Sequence, residues 1–544
     1  MQQLTLRSDT HQARRLLRVL TRNLIAFGCL LVPSLAHAQS NAAGDLAITQ
    51  LPALGAGTLG NAPPFQFGAA ADLSELYTTN VLGSPAPTKA DFDTRLQLSL
   101  NATEQSSNVS AAFAYTGSVD YFARTSTRPN FTNYLSAKGT FSILPDHILL
   151  SAQVFAQPQY QSQLGNVAPF GQVLPAGANG DFVNTYGFVI QPDLFFRLGD
   201  FLRSDLIPGY SGVFIDQPTS AAVTLPAGTS ITGNEFTKSL IERITSGSDF
   251  TRLQWGATAS YTEMSESSGG LIQRSATGQL SYAITEGFSV VGNGGYQSVT
   301  ANAVLIKPSS GPVIMGGVNF DLPTLSGQIL AGEQYRSFSA VGHIRYQITP
   351  RMTLVASASD NVTTPLGSTL DQNNLLQSVA SALVSGQVPL PSSGILTNSQ
   401  IYGIGLESQI ARIRVGTISY QYAIDDLTAS LTAFGTKQSA LTPVAQGQNT
   451  NMQSVGLSPS ISYALSPYAS VSGDAIYTDQ TQQIGADKNI QFDIFGSYDL
   501  GIRTQLYVQG TYFERLSDRA LAAVSARSGD ISGTSIRLGV RFRW

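Results

Sequence analysis

Apolar and polar residues alternate along most of this chain in runs of eleven or more positions, and no other feature constrains the fold as tightly. Between Val109 and Tyr121, one set reads Val109, Ala111, Phe113, Tyr115, Gly117, Val119 and Tyr121. The positions between include Ser110, Thr116, Ser118 and Asp120. Phe92, Leu96, Leu98 and Leu100 oppose Asp93, Arg95, Gln97 and Asn101 in the same way. Ile490, Phe492, Ile494, Gly496 and Tyr498 oppose Gln491, Asp493, Ser497 and Asp499. Strands of a soluble sandwich average about 5–6 residues; runs twice that length are long enough to cross a bilayer at a tilt. Composition agrees. Only 12% of residues are charged, against about 25% in an ordinary globular protein. The net charge of −4 and the lack of a long basic run give nucleic acid no footing.

The chain opens on an export pattern. Arg14, Arg15, Arg18 and Arg22 precede a short apolar core from Leu24 to Leu35, and Ala36-His37-Ala38 supplies a cleavage site. The expectation is a signal peptide over 1–38, because that core is too short to span a bilayer. Cys29, the only cysteine, falls inside it. A mature chain without thiols has no disulfides, no thiolate catalysis and no cysteine metal site. No later stretch approaches the roughly 20 apolar residues of a membrane helix. An exported chain of this kind enters a membrane only as a closed barrel, in which every backbone group finds a partner.

Connections set the strand number. Short ones are expected at 104–108, 145–147, 198–200, 246–249, 286, 349–351, 425–426, 466–467 and 501, with longer polar segments such as 159–181, 215–233, 363–411 and 514–532 between them. Short periplasmic turns and long external loops are the pattern of outer-membrane barrels. The expected fold is all-β: a transmembrane antiparallel up-and-down barrel over 65–544, of about 22 strands, with periplasmic N- and C-termini and a short N-terminal segment over 39–64. Twenty strands result if 311–337 forms one fewer pair. Ile536, Leu538, Val540, Phe542 and Trp544 alternate with Ser535, Arg537, Gly539, Arg541 and Arg543. Val540, Phe542 and Trp544 are therefore read as a membrane-insertion signal for barrel-assembly machinery.

Four patches resemble a poorly characterised family of outer-membrane barrels from bacterial exopolysaccharide and PEP-CTERM sorting loci. They are Glu75-Leu76-Tyr77-Thr78-Thr79-Asn80-Val81 with Asp91-Phe92; Val189-Ile190-Gln191-Pro192 with Phe195-Phe196-Arg197-Leu198; Ser246-Gly247-Ser248-Asp249-Phe250 with Leu253 and Trp255; and Asp360-Asn361-Val362-Thr363-Thr364 after Thr349-Pro350-Arg351. The family usually carries Asp where this chain has Thr79. The resemblance implies a barrel in envelope polysaccharide biology and brings no catalytic residues.

Catalytic chemistry finds little to work with. His147 and His343 are the only histidines after the signal, far apart in sequence, and no Gly-x-Ser-x-Gly elbow or phosphate loop occurs. The chain is expected to be no enzyme and to carry no metal or cofactor. The candidate lumen-lining residues are Asp93, Arg95, Asp120, Lys138, Asp474, Asp493, Arg503, Arg537 and Arg541, all opposite apolar faces. They either pair across strands or line a passage for a polar solute. Tyr468, Tyr477, Tyr512 and Trp544 read as an interface girdle. Within 363–411, Asp371 begins a helix of about four turns ending at Gly386, lying on the rim or folded into the lumen. Expected partners are outer-membrane lipid, lipopolysaccharide, the assembly machinery, and polysaccharide or polysaccharide-export components. The functional expectation is a porin-like conduit, possible substrates including exported exopolysaccharide; the alternative is a sealed surface scaffold. A TonB-dependent receptor needs a plug domain ahead of the barrel, for which 39–64 is too short.

Overall fold

The structure, a computed structural model, describes residues 65–544 except 84–87, 126–128, 161–181, 217–233, 267–268, 302–308, 365–409, 442–450, 483–484 and 519–529. The expected signal peptide, the 39–64 segment and the helix from Asp371 lie outside the described residues. Twenty-two strands are present among them. In order they are β1 (Phe65–Thr78), β2 (Asp91–Gln105), β3 (Val109–Phe122), β4 (Asn130–Leu144), β5 (Ile148–Tyr160), β6 (Phe182–Leu198), β7 (Leu202–Asp216) and β8 (Glu235–Ser246). Then come β9 (Leu253–Glu266), β10 (Gly269–Thr285), β11 (Phe288–Ala301), β12 (Gly311–Asp321), β13 (Leu325–Gln334), β14 (Ser337–Thr349) and β15 (Met352–Thr363). The last are β16 (Ala411–Ile424), β17 (Leu427–Ala440), β18 (Asn451–Ser466), β19 (Ala469–Gln482), β20 (Gly485–Asp499), β21 (Thr504–Ser517) and β22 (Ile531–Arg543).

Each strand pairs antiparallel with the next, and β1 pairs with β22 from Ala70↔Arg543 to Thr78↔Ser535. The sheet is a closed barrel. Residues 311–337 resolve into two strands, paired from Ile314↔Glu333 to Asp321↔Ser326, which settles the count at twenty-two. One end carries the tight turns expected from sequence, joined by 322–324, which the sequence pattern did not single out. The other end holds the long connections but also three of two residues each: 267–268, 335–336 and 483–484. The strict short/long alternation therefore fails. At 335–336 the reason is visible: Tyr335 and Arg336 both take positive φ, 52° and 55°, as a two-residue hairpin turn requires.

The alternation decides which face is which. Leu73, Leu96, Leu98, Ile494, Ile536 and Leu538 are each about half exposed on the outside. So continuous an apolar exterior is tolerated in lipid and not in water. A fourteen-residue strand such as β1, tilted about 40° at about 3.3 Å per residue, rises roughly 35 Å. That exceeds the ~25 Å apolar band of such barrels, and the outer face records where the excess begins. Glu75, Lys238, Glu263, Lys437, Lys488 and Glu514 all sit three residues short of the loop-side end of their strands, on the outer face. Lys238 stands opposite Glu263, and Asp479 opposite Lys488.

Between β11 and β14 the wall turns a sharp corner. A Cβ added at Gly317 would stand 1.8 Å from the Ile329 carbonyl oxygen, at Gly332 2.0 Å from that of Ile314, and at Gly295 2.2 Å from that of Ala276. Only glycine allows strands to approach so closely on the concave side. There the inner face departs from the polar-inside rule: Val291, Val313, Met315, Leu330 and Val341 are buried together. Replacing Gly317 by Val forces β12 and β13 apart and is expected to destabilise the barrel by about 1–3 kcal/mol, read as a lower urea midpoint for unfolding in detergent micelles, whereas Gly501→Ala, in open space at a turn, leaves the midpoint in place.

Candidate functional site: the inner wall

Among the described residues, charged side chains gather into three largely buried ionic groups. The largest straddles the closing seam. β2 and β3 place Arg95 opposite Asp120, and the guanidinium donates to the Asp120 carboxylate. Asp93, one inward position along, lies 4.0 Å from Arg95 Nη2. Asp120 also accepts from Ser118 Oγ at 3.4 Å, and Ser118 pairs with Thr132 at 2.6 Å. From the other side of the seam, β22 presents Arg537 opposite Leu76 and Gln509, within electrostatic reach of Arg95, Asp93 and Asp120. Asp493 on β20 accepts from Thr511 Oγ1 at 2.5 Å, Gln509 at 3.4 Å and Gln491. Toward the turn end, Asp72 accepts from Tyr507 Oη at 2.7 Å and Arg541 Nε at 3.2 Å, with Arg541 over the Tyr507 ring at 5.4 Å.

These charges are packed, not bathed. Asp120 is 0% exposed, Asp93 and Asp493 1%, Arg95 7% and Arg537 8%. Of the nine candidate residues, the structure gathers Asp93, Arg95, Asp120, Asp493, Arg537 and Arg541 into the seam group. Asp474 stands opposite Asp493 in register. Lys138 is half-buried on the inner face of β4. Arg503 lies exposed in the turn between β20 and β21, where its carbonyl accepts the Arg543 N–H. Tyr477, Tyr512 and Trp544 are exposed on the outer face, with Phe542, and Tyr468 is exposed in the β18–β19 turn. His147 is exposed in the β4–β5 turn and His343 faces the lumen of β14. Among the described residues, no group of three or more His, Cys, Asp or Glu is placed to hold a metal ion.

The alternation did not single out the other two groups. At the turn end of β6–β7, Arg203 pairs with Asp205 at 2.6 Å and covers the buried Phe195 ring at 4.9 Å. The third joins β15 and β16. Arg412 grips Asp360 through Nε at 2.7 Å and Nη2 at 2.5 Å, and Arg414 reaches the same carboxylate at 3.2 Å. Arg412 and Arg414 share their strand face with Ile418, Tyr420 and Tyr422, the apolar side of β16. A cation recurring on a lipid stripe was the signal in the sequence that marked this place.

Much of the remaining inner wall is lined by paired hydroxyls. Ser99 meets Thr116 at 3.3 Å, Ser260 meets Ser275 at 2.7 Å, and Ser357 meets Thr417 at 2.6 Å. Thr432 meets Ser419 at 3.0 Å, Ser430 meets Ser460 at 2.7 Å, and Ser470 meets Ser497 at 2.9 Å. Such pairs satisfy each other across strands and still offer lone pairs to a solute.

The fold and this inner wall define a transmembrane β-barrel with a polar interior. No family model matches the chain, and no curated protein matches it. Among solved structures, the siderophore receptor PirA from Pseudomonas aeruginosa is similar at 9% identity and a TM-score of 0.37, over 89% of this chain and 81% of that one. The copper transporter OprC is similar at 9% identity and 0.36, over 88% and 80%. OmpT, an outer membrane protein of Vibrio cholerae, is similar at 8% identity and 0.27, over 88% and 97%. These are likenesses of barrel form, and the functional reading rests on this chain's own residues.

Removing one partner of a buried pair strands the other. Arg95→Ala is expected to cost about 3–5 kcal/mol of barrel stability, measured by reversible urea unfolding in micelles. The double variant Arg95→Ala/Asp120→Ala should recover most of that loss, because it leaves fewer buried carboxylates without a cation.

Proposed function

We propose that this protein is a porin-like conduit in the outer membrane of a Gram-negative bacterium, passing a polar, polyhydroxylated solute, with exported exopolysaccharide as the candidate cargo. The observation that carries this reading is the inner wall. Its seam charges, four carboxylates against three guanidiniums, are packed into the wall, and cross-strand hydroxyl pairs such as Ser260–Ser275 and Ser430–Ser460 face inward. A hydroxyl-rich lining with its charges largely buried suits sugar hydroxyls by exchange of hydrogen bonds and gives ions little to bind. The family resemblance of the sequence patches supports a polysaccharide cargo. The outer ring of Lys238, Lys437 and Lys488 suits contact with phosphorylated lipopolysaccharide headgroups. Val540, Phe542 and Trp544 lie on the outer face of the closing strand, where assembly machinery has access to them, and the termini belong on the periplasmic side with the tight turns.

The second reading is a sealed scaffold. It is favoured by the burial of inward side chains near the loop end, such as Thr78, Asp91 and Glu235 at 1%.

Reconstituted in a planar bilayer, the folded protein should give conductance steps with a reversal potential close to zero across a salt gradient, reduced by added dextran. A folded, inserted barrel that gives no steps would overturn the conduit in favour of the scaffold. Replacing Phe542 and Trp544 by Ala should lower the amount of heat-modifiable barrel in the outer-membrane fraction; unchanged assembly would remove the insertion role.

A further inference from the structure

β14 and β15 are neighbours that separate partway up. Their ladder runs from Thr349↔Met352 to Gly342↔Ala358 and stops, while β15 and β16 stay paired through Thr363↔Ala411. Above Ala358, β15 parts from β14 while β16 stays paired with β17 through Ala411↔Ala440, so this edge of the sheet bends away from β14 as one piece. Its destination is fixed by contacts across the barrel. Gln273 on β10 donates through Nε2 to the Val362 carbonyl at 2.7 Å. Thr364 donates to Glu235 on β8 at 2.5 Å. Val362 and Ile410 are buried in one cluster with Leu271 of β10, Val299 of β11 and Leu441 after β17. Leu271, Gln273, Val299 and Glu235 all belong to inner faces, whereas Val362 belongs to the face of β15 that lower down turns outward. The outer side of the β15–β16 tip thus lies against the inner side of β8–β11. The tip is inside the barrel.

The glycine corner makes this reachable. β10 and β15 are five strands apart, a span of about 24 Å along a flat wall, yet here they touch. The short hairpin of β13 and β14 ends beneath the tip, and Arg412 binds it there. Arg412 donates to the carbonyls of Gln334 at 3.2 Å and Tyr335 at 3.4 Å, and also to Ser337, and lies over the Tyr335 ring at 4.9 Å. Arg414 donates to Ser337 at 2.8 Å. Asp360 holds both guanidiniums. A carboxylate, two arginines and two turn carbonyls therefore occupy the place where strand pairing has stopped.

We propose that the in-folded tip of β15 and β16 is the size-selecting constriction of the conduit, and that Arg412 is the residue that positions it. The inference rests on the conduit reading for its function but not for its geometry. The tip removes cross-section from the loop end of a barrel that otherwise leaves a wide opening. What it leaves open is bounded by its own inward face, where Ile413 and Val415 pack with Phe434 and Met452.

Two measurements separate the parts. With Cys29 replaced by Ser, the pair Leu271→Cys/Val362→Cys should be joined by a short bismaleimide in the folded barrel, seen as a mobility shift. Failure to join in a barrel that remains heat-modifiable would place β15 in the wall and overturn the proposal. Arg412→Gln should then raise single-channel conductance and shift the cut-off for excluded polyethylene glycols to larger polymers, while Arg124→Gln, exposed beside a loop, leaves both unchanged. A cross-linked pair with conductance and cut-off unmoved by Arg412→Gln would overturn the constriction and leave the conduit standing. If neither protein conducts, both the conduit and the constriction fall.

Discussion

In hydrocarbon a backbone amide has no water to turn to, so each must find a carbonyl within the chain. The pairing of β1 with β22 meets that demand for the whole molecule, because without it two strands would present open edges to lipid. The ladder continues past the strand ends, with Ala69 and Trp544 exchanging both of their backbone bonds. The most heavily charged part of the inner wall lies along the same seam. Arg541 reaches Asp72 from one closing strand to the other, and Arg537 brings β22 to the pair of Asp93 and Asp120 on β2 and β3. Buried ion pairs are a weak source of net stability but discriminate strongly against wrong partners, since a slipped register would leave a charge alone. At a seam joining the first strand to the last, that discrimination is useful.

The same demand explains the in-folded tip. Where β14 and β15 part, backbone groups lose their ladder, and arginine supplies donors in its place: Arg412 reaches two carbonyls of the β13–β14 turn while keeping Asp360. The apolar cluster of Val291, Val313, Met315, Leu330 and Val341 belongs to this arrangement. A corner tight enough to bring β15 to β10 excludes water from its concave side, and side chains there behave as a small core.

The four sequence patches each reach a strand end. Asp91 accepts the N–H groups of Arg124 and Thr125 and the Thr125 hydroxyl, fastening the connection after β3. Asn80 reaches the Ser532 carbonyl across the seam at 3.0 Å, and Thr79 Oγ1 accepts the Thr534 N–H at 2.9 Å. The third patch fastens the turn that follows the second: Ser248 and the Asp249 N–H bind Asp200, and Phe250 packs on Phe201 and Trp255. The fourth begins at Asp360 and ends at Thr364, the length of chain that enters the lumen.

Alternation was enough to define a barrel and the inward direction of Asp93, Arg95, Asp120 and Arg537, because a period of two fixes the face of every residue once one face meets lipid. The strand number stood between twenty and twenty-two until 311–337 resolved into β12 and β13. Alternation also located nearly all the tight turns, since these interrupt the period. It was silent on burial: the seam carboxylates alternate like solvated lumen residues, and only the register that sets Arg95 against Asp120 shows that they are paired and dry. It was silent, too, on the corner and the in-fold. Gly317 and Gly332 read as ordinary strand glycines until the distance to the next backbone is known, and Asp360, Val362 and Thr364 keep their face while the chain carrying them parts from β14. A period describes a residue relative to its own strand; where that strand goes depends on how closely its neighbours approach, which tertiary structure alone decides.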